Sequence, residues 1–269
     1  MKSKELLRFF IYTFLISWSI WGIAILKSYS VLEFSPSYKI FIYLGSYGPS
    51  IVAIILTAIY GGKDKVRRLL KSGLHRKYNM GSCFYMFLLM PGILFFAYLF
   101  TNYAWDLKFE LPLFQKPLLL IVVFFYILIL GGPLGEEFGW RGFALNRLLD
   151  KYTPVTASIL LGFIWTIWHI PLFFIEGSVQ QDINFVGYMI FTIILSILIT
   201  NLFIKTNRSV FAVIVFHTTS NLSIGLFPIF TSLKGGVSIL FFMLLFLSII
   251  ILLNKDRMFK KRKEKLEEN

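Results

Sequence analysis

The chain has 269 residues, of which 57% are hydrophobic and only 15% charged, at a mean hydropathy of +0.73. No soluble core of this size requires such a balance, so the composition excludes a water-soluble globular protein and predicts an integral membrane protein. The net charge of +13 does not argue for nucleic acid, because the basic residues fall in short segments between apolar runs, where membrane topology places them.

Taken in order, apolar runs long enough to cross a hydrocarbon layer of roughly 30 Å predict eight helices, near residues 9–26, 40–60, 82–104, 117–145, 155–175, 184–204, 209–230 and 236–253. The fold class is all-α and polytopic. One transmembrane domain over 1–269 is expected, with a catalytic core at about 117–230. The first run follows Lys2, Lys4 and Arg8 without an A-x-A-like cleavage site and reads as a retained span. Between the second and third runs, GGKDKVRRLLKSGLHRKYNM (61–80) sets Leu69, Leu70 and Leu74 among basic residues, the pattern of a short amphipathic surface helix, with His75 on its solvated side. Cys83, the single cysteine, excludes an intramolecular disulfide and any cysteine-based metal site. Pro91, Pro171 and Pro228 are expected to bend or stop their helices, since each lacks the N–H that a helix uses.

Alternation of the eight runs puts 22 of the 27 Lys and Arg residues on one side and five (Lys27, Lys39, Lys108, Lys116 and Lys234) on the other. By the positive-inside rule both termini are expected in the cytoplasm, in the cell membrane. The tail KDRMFKKRKEKLEEN reads as a stop-transfer flank, with contact to anionic headgroups as the alternative.

Against this background three polar clusters stand out. GEEFGWRGF (135–143) puts Glu136, Glu137 and Arg141 where lipid would be; His169 ends the run FIWTIWH; and HTTSN carries His217 and Asn221. An ionised group at the bilayer centre costs at least about 2.5–3.5 kcal/mol on insertion scales, so these groups are expected to face one another. Glu137 and Arg141 are four apart on one helical face and predict an ion pair, leaving Glu136, rotated by about 100°, as the free acid. Gly135, Gly139 and Gly142 have the small-residue spacing that lets a neighbouring helix bring its side chains to the carboxylates. A carboxylate beside imidazoles takes a proton from water while His and Asn donate to an oxyanion, which is peptide-hydrolysis chemistry. Equally, Glu136, His169 and His217 match a catalytic Zn²⁺ set of two His and one carboxylate.

Residues 131–225, with EExxxR at Glu136–Arg141, the second motif ending in His169 and the third reading His217-Thr-Thr-Ser-Asn221, resemble the CAAX-protease and bacteriocin-processing (CPBP, or Abi) family of intramembrane endopeptidases. The resemblance implies an eight-helix fold with a cavity open to the cytoplasmic side. It also implies that Glu136 and His169 activate the attacking water, that His217 and Asn221 stabilise the oxyanion, and that Glu137 and Arg141 support the site. One departure is visible: the family's FxxxH has Trp165 at its first position, a change expected to reshape the substrate pocket. The first 110 residues match the family only as hydrophobic spans.

The expected partners are a peptide or protein substrate arriving from the membrane or the cytoplasm, and the lipid bilayer. Two rival readings are a bacteriocin self-immunity or regulatory scaffold that needs no proteolysis, and a proton-coupled transporter, in which buried Glu and His are common. The sequence lacks HExxH, GxGD and a Gly-x-Ser nucleophile paired with a His in rhomboid fashion, so other intramembrane protease classes fit badly.

Overall fold

Peptide groups in a hydrocarbon layer have no water to bond, so a chain this apolar satisfies them within helices. The computed structural model describes residues 2–76 and 78–261, and among these every regular element is helical. In chain order, besides two short 3-10 helices at Pro112–Gln115 and Ile170–Phe174, they are α1 (Lys2–Ser28), α2 (Tyr38–Ser46), α3 (Gly48–Ser72), α4 (Met80–Trp105), α5 (Pro117–Leu130), α6 (Pro133–Glu137), a π-helical stretch (Phe138–Leu145), α7 (Asn146–Leu148), α8 (Pro154–Trp168), α9 (Phe185–Lys205), α10 (Val210–Leu226), α11 (Leu233–Leu253) and α12 (Lys255–Phe259). Seven helical segments are long and apolar enough to cross a membrane, and α10 adds a shorter apolar helix of 17 residues. These eight correspond to the eight runs of the sequence. The chain is a multi-pass membrane protein.

Side-chain caps mark where several spans begin. Thr153, Asn184, Ser209 and Ser232 each accept a hydrogen bond from the backbone N–H three residues on, relieving donors that a helix start leaves unpaired. The prolines act unequally: α4 runs through Pro91, whereas Pro171 follows the end of α8 and Pro228 follows the end of α10. At Gly62, with φ +68°, the helix breaks direction, and the basic segment beyond it forms the amphipathic helix expected there. Leu69 packs inward while Leu70 and Leu74 stay exposed. His75 departs from its expected solvated position: it is half-buried, with its ring against Tyr78.

Of the seven long spans α9 is the most buried, and the α5 segment and α11 are the most outward-facing. α1 braces the centre with aromatic rings. Phe9 meets Trp140 and Phe143, and Trp21 meets Trp168 at 4.5 Å between centroids. At one end of the bundle Glu5 pairs with Arg147 at 2.9 Å, Lys151 donates to Ser3, Arg208 donates to Asn146 Oδ1 at 2.6 Å and Ser209 donates to the His75 carbonyl. The start of α1, the 73–79 connection, the end of α7 and the α9–α10 turn therefore share one end, as alternation requires. Of the basic tail, residues 262–269 lie outside the described residues.

The glycine spacing in 135–142 does permit close approach, but the neighbour differs from the expected one. A Cβ on Gly135 would lie 2.7 Å from the Ser46 carbonyl oxygen, and one on Gly139 would lie 2.5 Å from the Pro49 backbone. The partner is thus the α2–α3 junction, while the histidines approach from α8 and α10. Gly139→Ala is expected to destabilise by about 1–3 kcal/mol through overpacking against backbone. Gly142→Ala meets only the tip of Leu69 at 2.7 Å and should cost less; thermal unfolding of the detergent-solubilised protein compares the two.

Candidate active site

The site is built where the fourth apolar run is interrupted. Gly131 ends α5, and Gly132, at φ +106°, starts the next turn with Pro133 at the first helical position. That left-handed backbone suits glycine, and space demands it too: a Cβ on Gly132 would lie 2.3 Å from Glu136 Oε1. The break also sets the rotation of α6, whose Glu136 N–H bonds the Gly132 carbonyl at 2.9 Å.

From Phe138 to Leu145 the helix widens to a π repeat, a form that often occurs at functional sites. Asn146 restores order at its end by donating Nδ2–H to the Gly142 carbonyl at 2.8 Å. Within this segment Glu137 Oε1 and Arg141 Nη1 are 2.9 Å apart, both at 0% exposure. The ion pair expected from their spacing is present. His217 reaches the same carboxylate from α10, its Nδ1 lying 2.8 Å from Glu137 Oε1. A carboxylate only accepts, so Nδ1 carries the proton. Glu137 thus couples the first and third motifs, a contact that no linear spacing reveals.

Glu136 is not partnerless. The indole Nε1–H of Trp165 donates to its Oε2 at 2.7 Å, a bond phenylalanine at that position could not make. Trp165 has four other contacts. Its carbonyl takes the Nδ1–H of His169 at 2.7 Å, its ring lies 4.4 Å from the Arg141 guanidinium carbon, and it meets both imidazoles, perpendicular to His217 at 5.2 Å and tilted to His169 at 5.6 Å between centroids. The departure from FxxxH is therefore a connecting residue of the cluster. Tyr188 of α9, whose ring lies 5.6 Å from His169, is a site neighbour that the sequence reading missed; a tyrosine in an apolar helix carries no signal that separates it from an interfacial anchor.

Asn221, one turn beyond His217 on α10, donates to the Gly131 carbonyl at 3.3 Å and is partly exposed. α5, α6, α8 and α10 thus bring Glu136, His169, His217 and Asn221 around one break in the chain. Small differences in exposure sort them. Glu136, His169 and His217 retain 4%, 7% and 3%, whereas Glu137 and Arg141 retain none, so the ion pair is fully enclosed and the first three are nearly so. With both Nδ1 atoms engaged, Nε2 is the nitrogen each imidazole has for a substrate or water.

For the expected Zn²⁺ set the side chains must converge within coordination distance. Among the described residues no group of three or more His, Cys, Asp and Glu is close enough to hold a metal ion. As arranged, Glu136, His169 and His217 are not gathered into such a group.

Residues 117–223 match the family model described as type II CAAX prenyl endopeptidase, Rce1-like. Over 273 aligned residues, covering 94% of this chain and 95% of the relative, the sequence is 30% identical to CAAX prenyl protease 2 of Methanococcus maripaludis. The chain belongs to the Rce1-like CAAX prenyl endopeptidase family. All four residues around the break, together with Glu137, Arg141 and Trp165, fall inside the segment that the Rce1-like model matches. The full-length alignment also extends the likeness into the N-terminal spans, beyond the hydrophobic character that the sequence reading allowed them. In this Rce1-like member those spans contribute the α2–α3 junction under Gly135 and Gly139 and the aromatic brace around Trp140 and Trp168.

Proposed function

We propose that the chain is an intramembrane endopeptidase in which Glu136 is the general base for water. A water molecule shared between the Glu136 carboxylate and His169 Nε2 loses a proton to Glu136, and its oxygen attacks the scissile carbonyl carbon. The carbonyl oxygen becomes an oxyanion that accepts hydrogen bonds from Asn221 Nδ2–H and, when that ring carries both protons, from His217 Nε2–H. The C–N bond then breaks as Glu136 returns the proton to the departing amine, so water is consumed and one acid and one amine leave. Glu137 and Arg141 hold His217 from behind. The observation that carries this reading is the separation of three barely exposed polar groups from a fully enclosed ion pair that orients one of them.

The relative from Methanococcus maripaludis is named a CAAX prenyl protease, so a peptide ending in a thioether-prenylated Cys-aliphatic-aliphatic-X sequence is the first substrate to offer. In this reading both termini and the mouth of the site face the cytoplasm of the cell membrane, following the 22-to-5 distribution of basic residues. The test is cleavage of prenylated and unprenylated quenched peptides by purified protein, beside Glu136→Ala, with and without a chelator. Turnover lost in the variant and indifferent to chelator is the expected result. Turnover abolished by the chelator would replace this mechanism by a metal-dependent one, and no turnover of any peptide would favour a regulatory scaffold.

Trp165→Phe gives a finer test, because it restores the family's usual residue while deleting the bond to Glu136. Hydrogen bonds to charged groups contribute about 1.5–3 kcal/mol. If that bond aims the base, kcat should fall by about 10-fold or more with little change in KM or in the unfolding midpoint. An unchanged kcat would mean that the indole only fills space.

A further inference from the structure

Past Gly62 the basic half of α3 lies at the end of the bundle that carries most of the cations, and it is tied down on both sides. Arg8 Nη1 donates to the Tyr60 hydroxyl at 2.7 Å just before the break, and beyond the helix Ser209, at the start of α10, donates to the His75 carbonyl at 2.9 Å. Between these ties the segment 63–73 packs on the π-helical stretch that carries Arg141. A Cβ on Gly142 would lie 2.7 Å from Leu69 Cδ1, and a Cβ on Gly73 would lie 2.4 Å from Phe138 Cζ. We propose that the outer face of this segment is a docking surface for the headgroup layer of an anionic bilayer.

The order of residues around the helix carries the inference. At about 100° per residue, Leu69 and Gly73 mark the side turned to the protein. A quarter turn on, Leu70 and Leu74 stand together, 43% and 68% exposed; Gly73 keeps helical backbone at φ −76° and ψ −3°, so Leu74 continues the same rotation. A further quarter turn brings Arg67, Lys71 and Arg68, all exposed, and the last quarter holds Ser72 and Lys65. A helix lying along a bilayer beside a bundle meets its surroundings in that same order: protein, acyl chains, headgroups, water.

The protein does not balance these charges. Lys63, Lys65, Arg67, Arg68 and Lys71 have no ionic partner among the described residues, and Asp64 is the single acid between residues 61 and 76. Lipid phosphates supply the missing charge. The leucines decide for a membrane over an acidic soluble protein, because they sit between the protein side and the cationic side, where the acyl boundary lies. The opposite face rests on Phe138 and Gly142, which flank Arg141 in sequence, so the docked surface bears directly on the helix that holds the site.

The test is hydrogen exchange, read by mass spectrometry, of the full chain in phosphatidylcholine nanodiscs with and without phosphatidylglycerol. Amides of 63–74 should exchange about 10-fold slower or more with phosphatidylglycerol, since several cations each gain a surface interaction, while the 146–153 connection at the same end exchanges alike in both. Arg67→Gln/Lys71→Gln keeps good helix formers but removes docking charge, and its 63–74 amides should lose that slowing. Arg67→Lys/Lys71→Arg should keep it, as should Lys205→Gln/Lys255→Gln, an equal charge loss at the same end. Leu70→Gln/Leu74→Gln retains every cation and should still lose most of the slowing. Equal exchange in both lipids, the same loss in both charge-removing pairs, or full protection without the two leucines would overturn the proposal. Protection by polyglutamate in phosphatidylcholine, with none from phosphatidylglycerol, would assign the face to an acidic protein and overturn it equally.

Discussion

Glu136→Gln is expected to lower kcat/KM on a cleavable peptide by about 10²–10⁴-fold, the usual contribution of a positioned general base, while leaving folded yield and unfolding midpoint close to wild type. The substitution is nearly isosteric, and the amide oxygen can still accept the Trp165 indole N–H that now reaches Oε2 at 2.7 Å. No cation loses its partner, because Arg141 is paired with Glu137 at 2.9 Å and not with Glu136. A loss of activity would therefore report proton transfer and not collapse of the site. The loss corresponds to about 3–5 kcal/mol of barrier, far above the scatter of a progress-curve assay. Full activity in Glu136→Gln would move the base to His169, whose Nε2 already shares the water in this mechanism.

Arg141→Met acts on stability first. Arg141 and Glu137 are fully buried, and removing one partner of such a pair typically costs about 3–5 kcal/mol because the other charge is stranded. The variant is expected to lose most of its monodisperse yield and to unfold well below wild type. Arg141→Met/Glu137→Gln should recover much of that stability, since two neutral side chains then fill the same space and no charge is left behind. It should not recover activity, because the carboxylate at 2.8 Å from His217 Nδ1 is what fixes that ring. Thermal unfolding and peptide cleavage of the two single variants and the double variant form a cycle that separates the pair's structural effect from its effect through His217. Additive stability losses across the cycle would count against the coupling.

The sequence by itself determined the architecture. Apolar runs of this length can satisfy their peptide groups only as helices, and among the described residues seven helical segments long enough to span and the shorter α10 answer the eight runs. It also determined the Glu137–Arg141 pair, because a four-residue spacing puts two side chains on one face even where the helix widens at Phe138–Leu145. Convergence of Glu136, His169 and His217 was legible as well, since ionisable groups within apolar helices have a strong reason to find each other. What only the tertiary structure decided is how the helices are turned about their axes and where they break. That rotation hands Glu136 to the Trp165 indole and His217 to Glu137, and the positive φ of Gly132 makes the room in which the Glu136 carboxylate lies. It also decided that Gly135 and Gly139 meet the α2–α3 junction, that Tyr188 stands beside His169, and that α12 folds back to bury Met258. Hydropathy and periodicity record which residues avoid water and which face they share. The partner across a helix interface depends on crossing angles and register set by the whole packed bundle, and a linear pattern carries neither.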